Sequence, residues 1–262
     1  MTSTAGLIRR EAGYARKTLV RDPQNLFFTV GLPLLYLFIF ASIFGDQEGA
    51  VPGQPGLLNV STIMTASVIA IGVTSAAFQN LVIALVQDRE NGVLKRLRST
   101  PVSTAVFLGG HVLNAVAFSM LLSIGVALLG VVVYGVDFPG TRILPAIVSV
   151  VIGSLALAAA AFPFTRLIKK GTGATPMAVA ITLTLFFLSG NFFPDADMPQ
   201  AIVVIADLFP VRQLYQCLLT AFNPNTTGSG FLWDRLAVLG AWAVGGTVVG
   251  LRFFRWTPTA DT

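Results

Sequence analysis

Long apolar runs alternate with short charged ones along this chain, and no charged residue occurs from Gly49 to Gln87 or from Ser99 to Val136. Runs of this length suit helices that cross a bilayer, whose apolar core needs about 20 residues of helix. The pattern predicts six spans, near residues 26–44, 58–86, 112–134, 143–165, 175–188 and 232–251. Pro33 lies inside the first and removes one backbone bond, so a kink is expected there. Pro145 falls in the first turn of the fourth, where proline is tolerated. The second run is long: at 1.5 Å per residue it reaches about 43 Å against a core of about 30 Å, so it tilts or projects beyond the lipid. Along it, Ser61, Thr65, Gly72, Ser75 and Gln79 share one face, which suits helix packing or the lining of a pathway. Ser149 with Gly153, and Gly246 with Gly250, are small pairs four apart that let helices approach closely.

One further apolar run, 198–222, breaks the pattern because it contains Asp207, Pro210 and Arg212. Two charges at mid-membrane cost roughly 5–7 kcal/mol, and the proline interrupts the helix as well. A pair of helices that dips in and returns, packed against protein, is the cheaper arrangement. Residues 1–25 mix Arg9, Arg10, Arg16, Lys17 and Arg21 with Leu7, Ile8, Tyr14, Leu19 and Val20. They read as a surface-lying amphipathic helix or as a basic tail. The apolar run that follows them reads as a retained span and not a cleaved signal.

Composition agrees with a membrane setting: 54% of residues are hydrophobic and 11% charged, where soluble domains carry about 25% charged. The net charge of +5 does not point to nucleic acid, because its placement follows the membrane. With both termini inside, the inner segments hold 14 of the 17 Lys and Arg, and only Arg142, Arg212 and Arg235 fall outside. A full crossing by 198–222 would put Arg252 and Arg255 on the wrong side. The single cysteine, Cys217, and single histidine, His111, exclude a disulfide framework and a multi-histidine metal site.

The most charged inner segment, Gln87 to Ser103, carries two acids and four bases. Val93, Leu94 and Leu97 gather on one side of a short helix, Lys95, Arg96 and Arg98 surround the rest, and Pro101 stops it. Such a helix is suited to docking on a cytosolic partner; a loop that only fixes topology is the plainer reading. Glu90, then Gly92, then two leucines three apart among bases, then Ser-Thr-Pro-Val-Ser, resembles the loop after the second span of ABC-2-type export permeases, in particular the daunorubicin-resistance branch. The stretch Phe186 to Gln200, followed by Leu208-Phe209-Pro210, resembles that family's fifth span running into its outer re-entrant segment.

The resemblance implies an all-α polytopic membrane protein. Its parts are an amphipathic segment at 1–25, a six-span domain at 26–256 and a cytosolic tail at 257–262. Within the domain it places a cytosolic coupling helix at 88–101 and an outer re-entrant segment at 194–222. It implies coupling to an ATPase through Glu90, Gly92, Val93, Leu94, Leu97, Arg98 and Pro101. It also implies an outer gate at Asn191, Phe193, Pro194, Pro199, Asp207, Pro210 and Arg212. The chain has no G-x-x-x-x-G-K-[ST] phosphate loop, so ATP and Mg²⁺ are expected on a separate ATPase subunit and no cofactor on this chain. All twelve acids fall outside the six predicted spans or at their ends, which disfavours proton-driven transport. The expected partners are that ATPase, a second permease chain (identical or related), and membrane lipid. The expected cargo is an amphipathic drug, lipid or glycolipid moved outward across the cytoplasmic membrane, with glycans as the runner-up. A lipid-modifying membrane enzyme is the rival class. Its candidate groups are His111 with Asn114, which lacks an obvious acidic partner, or Asp195 with Asp197.

Overall fold

The computed structural model describes residues 27–93, 104–168, 171–190 and 200–253. The proposed amphipathic segment, the core of the coupling helix and the C-terminal tail lie outside these residues. Eight helices and one small hairpin make up the described chain. A π-helical turn, Phe27–Gly31, leads into α1 (Leu32–Phe44). Pro33 sits at the start of α1, where the bonding pattern changes from π to α, so its missing N–H falls at a boundary and not inside a regular helix.

The 46–59 loop is more ordered than its glycines and prolines suggest. Strands β1 (Glu48–Ala50) and β2 (Leu57–Asn59) pair antiparallel, with Gly49 opposite Leu58. Gly53 and Gly56 take positive φ in the connection between them. Then comes α2 (Val60–Glu90), 31 residues long, with a π-helical bulge at Ser75–Gln79. It starts two residues later than expected and runs on through the first charges of the inner loop, so Asp88, Arg89 and Glu90 form its last turn. The sequence reading placed them in a separate coupling helix. The next helix, α3 (Thr104–Tyr134), starts earlier than expected, so His111 and Asn114 lie about two and three turns inside it.

The remaining helices are α4 (Ile143–Phe164), α5 (Ala174–Leu188), α6 (Gln200–Ala206), α7 (Pro210–Phe222) and α8 (Trp233–Phe253). Among the described residues, three helical segments are long and apolar enough to cross a membrane unaided: Val60–Glu90, Val106–Tyr134 and Gly140–Phe164. Thr29–Phe44 and Gly171–Phe187 are shorter apolar helices, and α6 and α7 meet at 89°. The apolar run at 198–222 is therefore broken, as its charges and Pro210 require. Leu121, Leu128 and Val132 of α3, and Phe38 and Ile43 of α1, are exposed, as expected of side chains that face lipid.

At the centre stands α7, packed by α2, α4 and α8, with all thirteen of its residues buried. A close approach lies between α4 and α8, which run parallel. A Cβ added at Gly246 would lie 2.7 Å from the Ala159 backbone, and one at Gly250 would lie 2.5 Å from the Phe162 ring. These are the two glycines whose spacing suggested a close contact. Replacing Gly246 with Ala should cost about 1–3 kcal/mol by overpacking, because the obstructing atoms are backbone. Gly240→Ala, where nothing lies within 4 Å, should be neutral or slightly stabilising. Thermal unfolding of the two variants in detergent checks this difference.

Candidate functional site

Two charged nodes stand out: one at the C-terminal end of α2, called the inner node after its expected side, and one at the break between α6 and α7, called the outer node. The inner node is built from three consecutive residues. Successive side chains on a helix point about 100° apart, so Asp88, Arg89 and Glu90 each reach a different neighbouring segment, while Arg89 Nη2 also lies 3.8 Å from Glu90 Oε1. Asp88 Oδ2 lies 3.5 Å from His111 Nε2 of α3, and the His111 ring meets Phe107 edge-on. The histidine therefore has the acidic partner that the sequence reading did not find. Arg89 is 5% exposed; its Nη1 donates to the Thr165 carbonyl at 3.2 Å and its Nη2 to the Ile168 carbonyl at 2.6 Å. Glu90 packs on the start of the α5 segment, where a Cβ at Gly171 would come within 2.9 Å of its Cγ. Immediately after this turn, Gly92 takes φ +70° with open space around it. Here glycine serves a sharp bend. Val93 is half-buried; Leu94, Leu97, Arg98 and Pro101 lie outside the described residues.

The outer node starts from α7. Arg212, Gln213, Gln216 and Thr220 form a polar stripe on one side of this helix, continued by Asn223. All five are buried, so each must find a partner inside the protein. At the inner end of the stripe, Asp207 Oδ1 accepts from Arg212 Nε and from Arg235 Nη1, both at 2.8 Å. Arg235 Nη1 also donates to Gln213 Oε1 at 3.0 Å, and Gln213 Nε2 donates to the Asp207 carbonyl. Trp242 Nε1 donates to the Leu208 carbonyl, fixing the break against α8. Arg212 is only 3% exposed, and this charge is tolerable because a carboxylate meets it.

At the outer end, the loop between β1 and β2 reaches down to the stripe. Gln54 Nε2 donates to Thr220 Oγ1 at 2.9 Å and to Gln216 Oε1 at 3.3 Å. Asn223 Nδ2 donates back to Gln54 Oε1 and to the Pro55 carbonyl. Arg142, just ahead of α4, donates to the carbonyls of Asn223 and Thr226. Of the expected outer-gate residues, Asp207, Pro210 and Arg212 come together here, with Pro210 as the first residue of α7. Asn191, Phe193, Pro194 and Pro199 lie outside the described residues, as do Asp195 and Asp197.

The sequence reading missed Arg235, Gln213, Gln216, Thr220, Asn223 and Gln54. The stripe on α7 was legible in principle from its helical spacing within an apolar run; Gln54, in a turn-rich loop, left no such signal. The polar face of α2 is occupied by α3 over most of its length. A Cβ at Gly130 would lie 2.6 Å from Thr65 Oγ1, and one at Gly72 would lie 2.2 Å from the Leu122 side chain. Thr65 Oγ1 donates to the Ser61 carbonyl, while Ser75 and Gln79 at the π bulge stay half-buried. Thr65 and Gly72 thus pack span against span within one chain, and Ser61 is buried.

An apolar helical bundle with its charges gathered at such nodes is the architecture of a polytopic membrane protein. The model of the ABC-2 type transporter family matches residues 12–223. This chain belongs to that family, and is a membrane permease component of an ABC transporter, a transport subunit of a kind that typically works with an ATPase partner. No curated protein matches it. The family match includes the inner node and ends one residue after α7.

The ion cluster can be tested by removing one charge at a time. Asp207→Ala leaves Arg212 buried without its carboxylate and should destabilise the protein by about 3 kcal/mol. Asp207→Ala combined with Arg212→Met should recover most of that loss. Unfolding of both variants in detergent gives the comparison.

Proposed function

We propose that this chain is the six-span permease subunit of an ATP-driven exporter of the daunorubicin-resistance-like branch. It works as a dimer in the cytoplasmic membrane with both termini cytosolic, and ATP with Mg²⁺ is bound by a separate ATPase. The observation that carries the reading is the inner node. A loop with the family's coupling pattern leaves α2 at a turn whose three charged residues touch α3, the end of α4 and the start of the α5 segment. A loop serving only to set orientation needs no such attachment.

Two groups of loops support the topology. The 46–59 loop, Arg142 and the 223–226 segment meet on one side. The 88–93 turn, residues 165–168 and Gly171 meet on the other. The inner group is rich in Lys and Arg, as the cytosolic side requires. Helix α7 rises for about 20 Å, too short for a core of about 30 Å, and ends in the outer group. The α6–α7 pair is therefore re-entrant and forms an outer gate above the pathway. Cargo of amphipathic drug, lipid or glycolipid type passes between two protomers and leaves outward.

Leu97→Asp tests the docking face. Burying a leucine is worth about 1.5–3 kcal/mol, so this variant should lose ATPase association and transport while inserting normally. Removing Lys95, Arg96 and Arg98 together is the corresponding test of a loop that only orients the chain. Normal ATPase association by Leu97→Asp would refute the coupling assignment. Topology is tested in a Cys217→Ser background: single cysteines at Gln47 and Asn225 should label from outside intact cells. One at Thr257 should not, and external labelling there would rule out six spans.

A further inference from the structure

We propose that Arg89 is the positioning residue that makes the end of α4 move together with the inner loop, so that displacement of the loop by a bound ATPase is delivered to the bundle through this side chain. The inference rests on the coupling reading above and assigns a route that the loop pattern itself does not contain. Three observations carry it. Arg89 belongs to the last turn of α2, three residues before the Gly92 bend and four before Val93, so it sits at the root of the loop. Its guanidinium is buried and spans two carbonyls, Thr165 and Ile168, that follow the end of α4. Its neighbours on either side reach other helices, Asp88 to His111 and Glu90 to the Gly171 backbone.

The chemistry suits arginine. The end of a helix carries partial negative charge on its last carbonyls, which favours a cation there. A planar fork with donors on separate nitrogens holds two carbonyls at fixed spacing, whereas an ammonium is a point charge on a flexible stem. Two charge-assisted bonds in a buried site resist shear between the helices they join. The α2 turn and the 165–168 segment are thereby one mechanical body, and the loop leaves it at the Gly92 bend.

The experiment uses the reconstituted complex of this chain with its ATPase in lipid vesicles. In a Cys217→Ser background, spin labels are placed at Asn91 and Leu167, both exposed. With Arg89 present, the distance between the labels should be the same with and without a non-hydrolysable ATP analogue. With Arg89→Gln, the distance should broaden and become nucleotide-dependent. The permease-dependent stimulation of ATP hydrolysis should fall roughly tenfold, the equivalent of one charge-assisted hydrogen bond, with ATPase binding retained. Arg89→Lys should be intermediate in both readouts. A nucleotide-dependent distance in the chain that retains Arg89 overturns the proposal, as does Arg89→Gln with unchanged distance and unchanged hydrolysis. Loss of ATPase binding in Arg89→Gln also overturns it, since the residue would then be shaping the docking surface. If no ATPase binds the chain with Arg89 intact, the coupling reading itself fails and the proposal falls with it.

Discussion

A charge inside this bundle has no water to fall back on, and the placement of its partners governs the rest of the structure. Arg89 and Arg212 are both nearly inaccessible, at 5% and 3% exposure. Each is met by groups that come from elsewhere in the chain: two carbonyls after α4 for Arg89, and the carboxylate of Asp207 for Arg212. Such arrangements contribute little net stability over an apolar substitute, but leaving one partner alone is costly. They therefore act as registers. A bundle whose helices are apolar on nearly every side could slide or rotate with little penalty, and these polar contacts select one arrangement.

The two nodes are joined by α4. Its start is tied by Arg142 to the outer end of α7, its middle receives Leu214 of α7 against Gly153, and its end is held by Arg89. At 1.5 Å per residue, its 22 residues span about 33 Å, so one helix reaches from the inner loop to the outer hairpin. The parallel packing of α8 on α4 through Gly246 and Gly250 adds a second helix to the same unit. Under the proposed coupling, a displacement at the inner face is passed along this unit to the helix at the centre of the described bundle.

Much of this was legible in the residues. The long charge-free runs, the break required by Asp207, Pro210 and Arg212, and the close contact at Gly246 and Gly250 all follow from the cost of charge in lipid and from side-chain size. What was not legible was pairing across large separations. His111 looked isolated because Asp88 lies on another helix, and Arg89 looked like one more loop base because its acceptors are backbone carbonyls that any residues could supply. The small hairpin of the outer loop was hidden for a related reason. Its glycines and prolines announce turns, while the bonds from Gln54 that seat it on α7 depend on a helix more than 160 residues away. The end of α2 was misplaced because charge marks the membrane boundary and not the helix boundary.

The central claim is that this chain moves cargo only with energy delivered by another protein through its inner face. Its most direct test is ATP hydrolysis and ATP-driven movement of a fluorescent amphipathic dye in vesicles containing the purified chain, with and without its ATPase. The account predicts that the chain alone does neither and that adding the ATPase produces both. Hydrolysis or ATP-driven dye movement by the chain alone would contradict it.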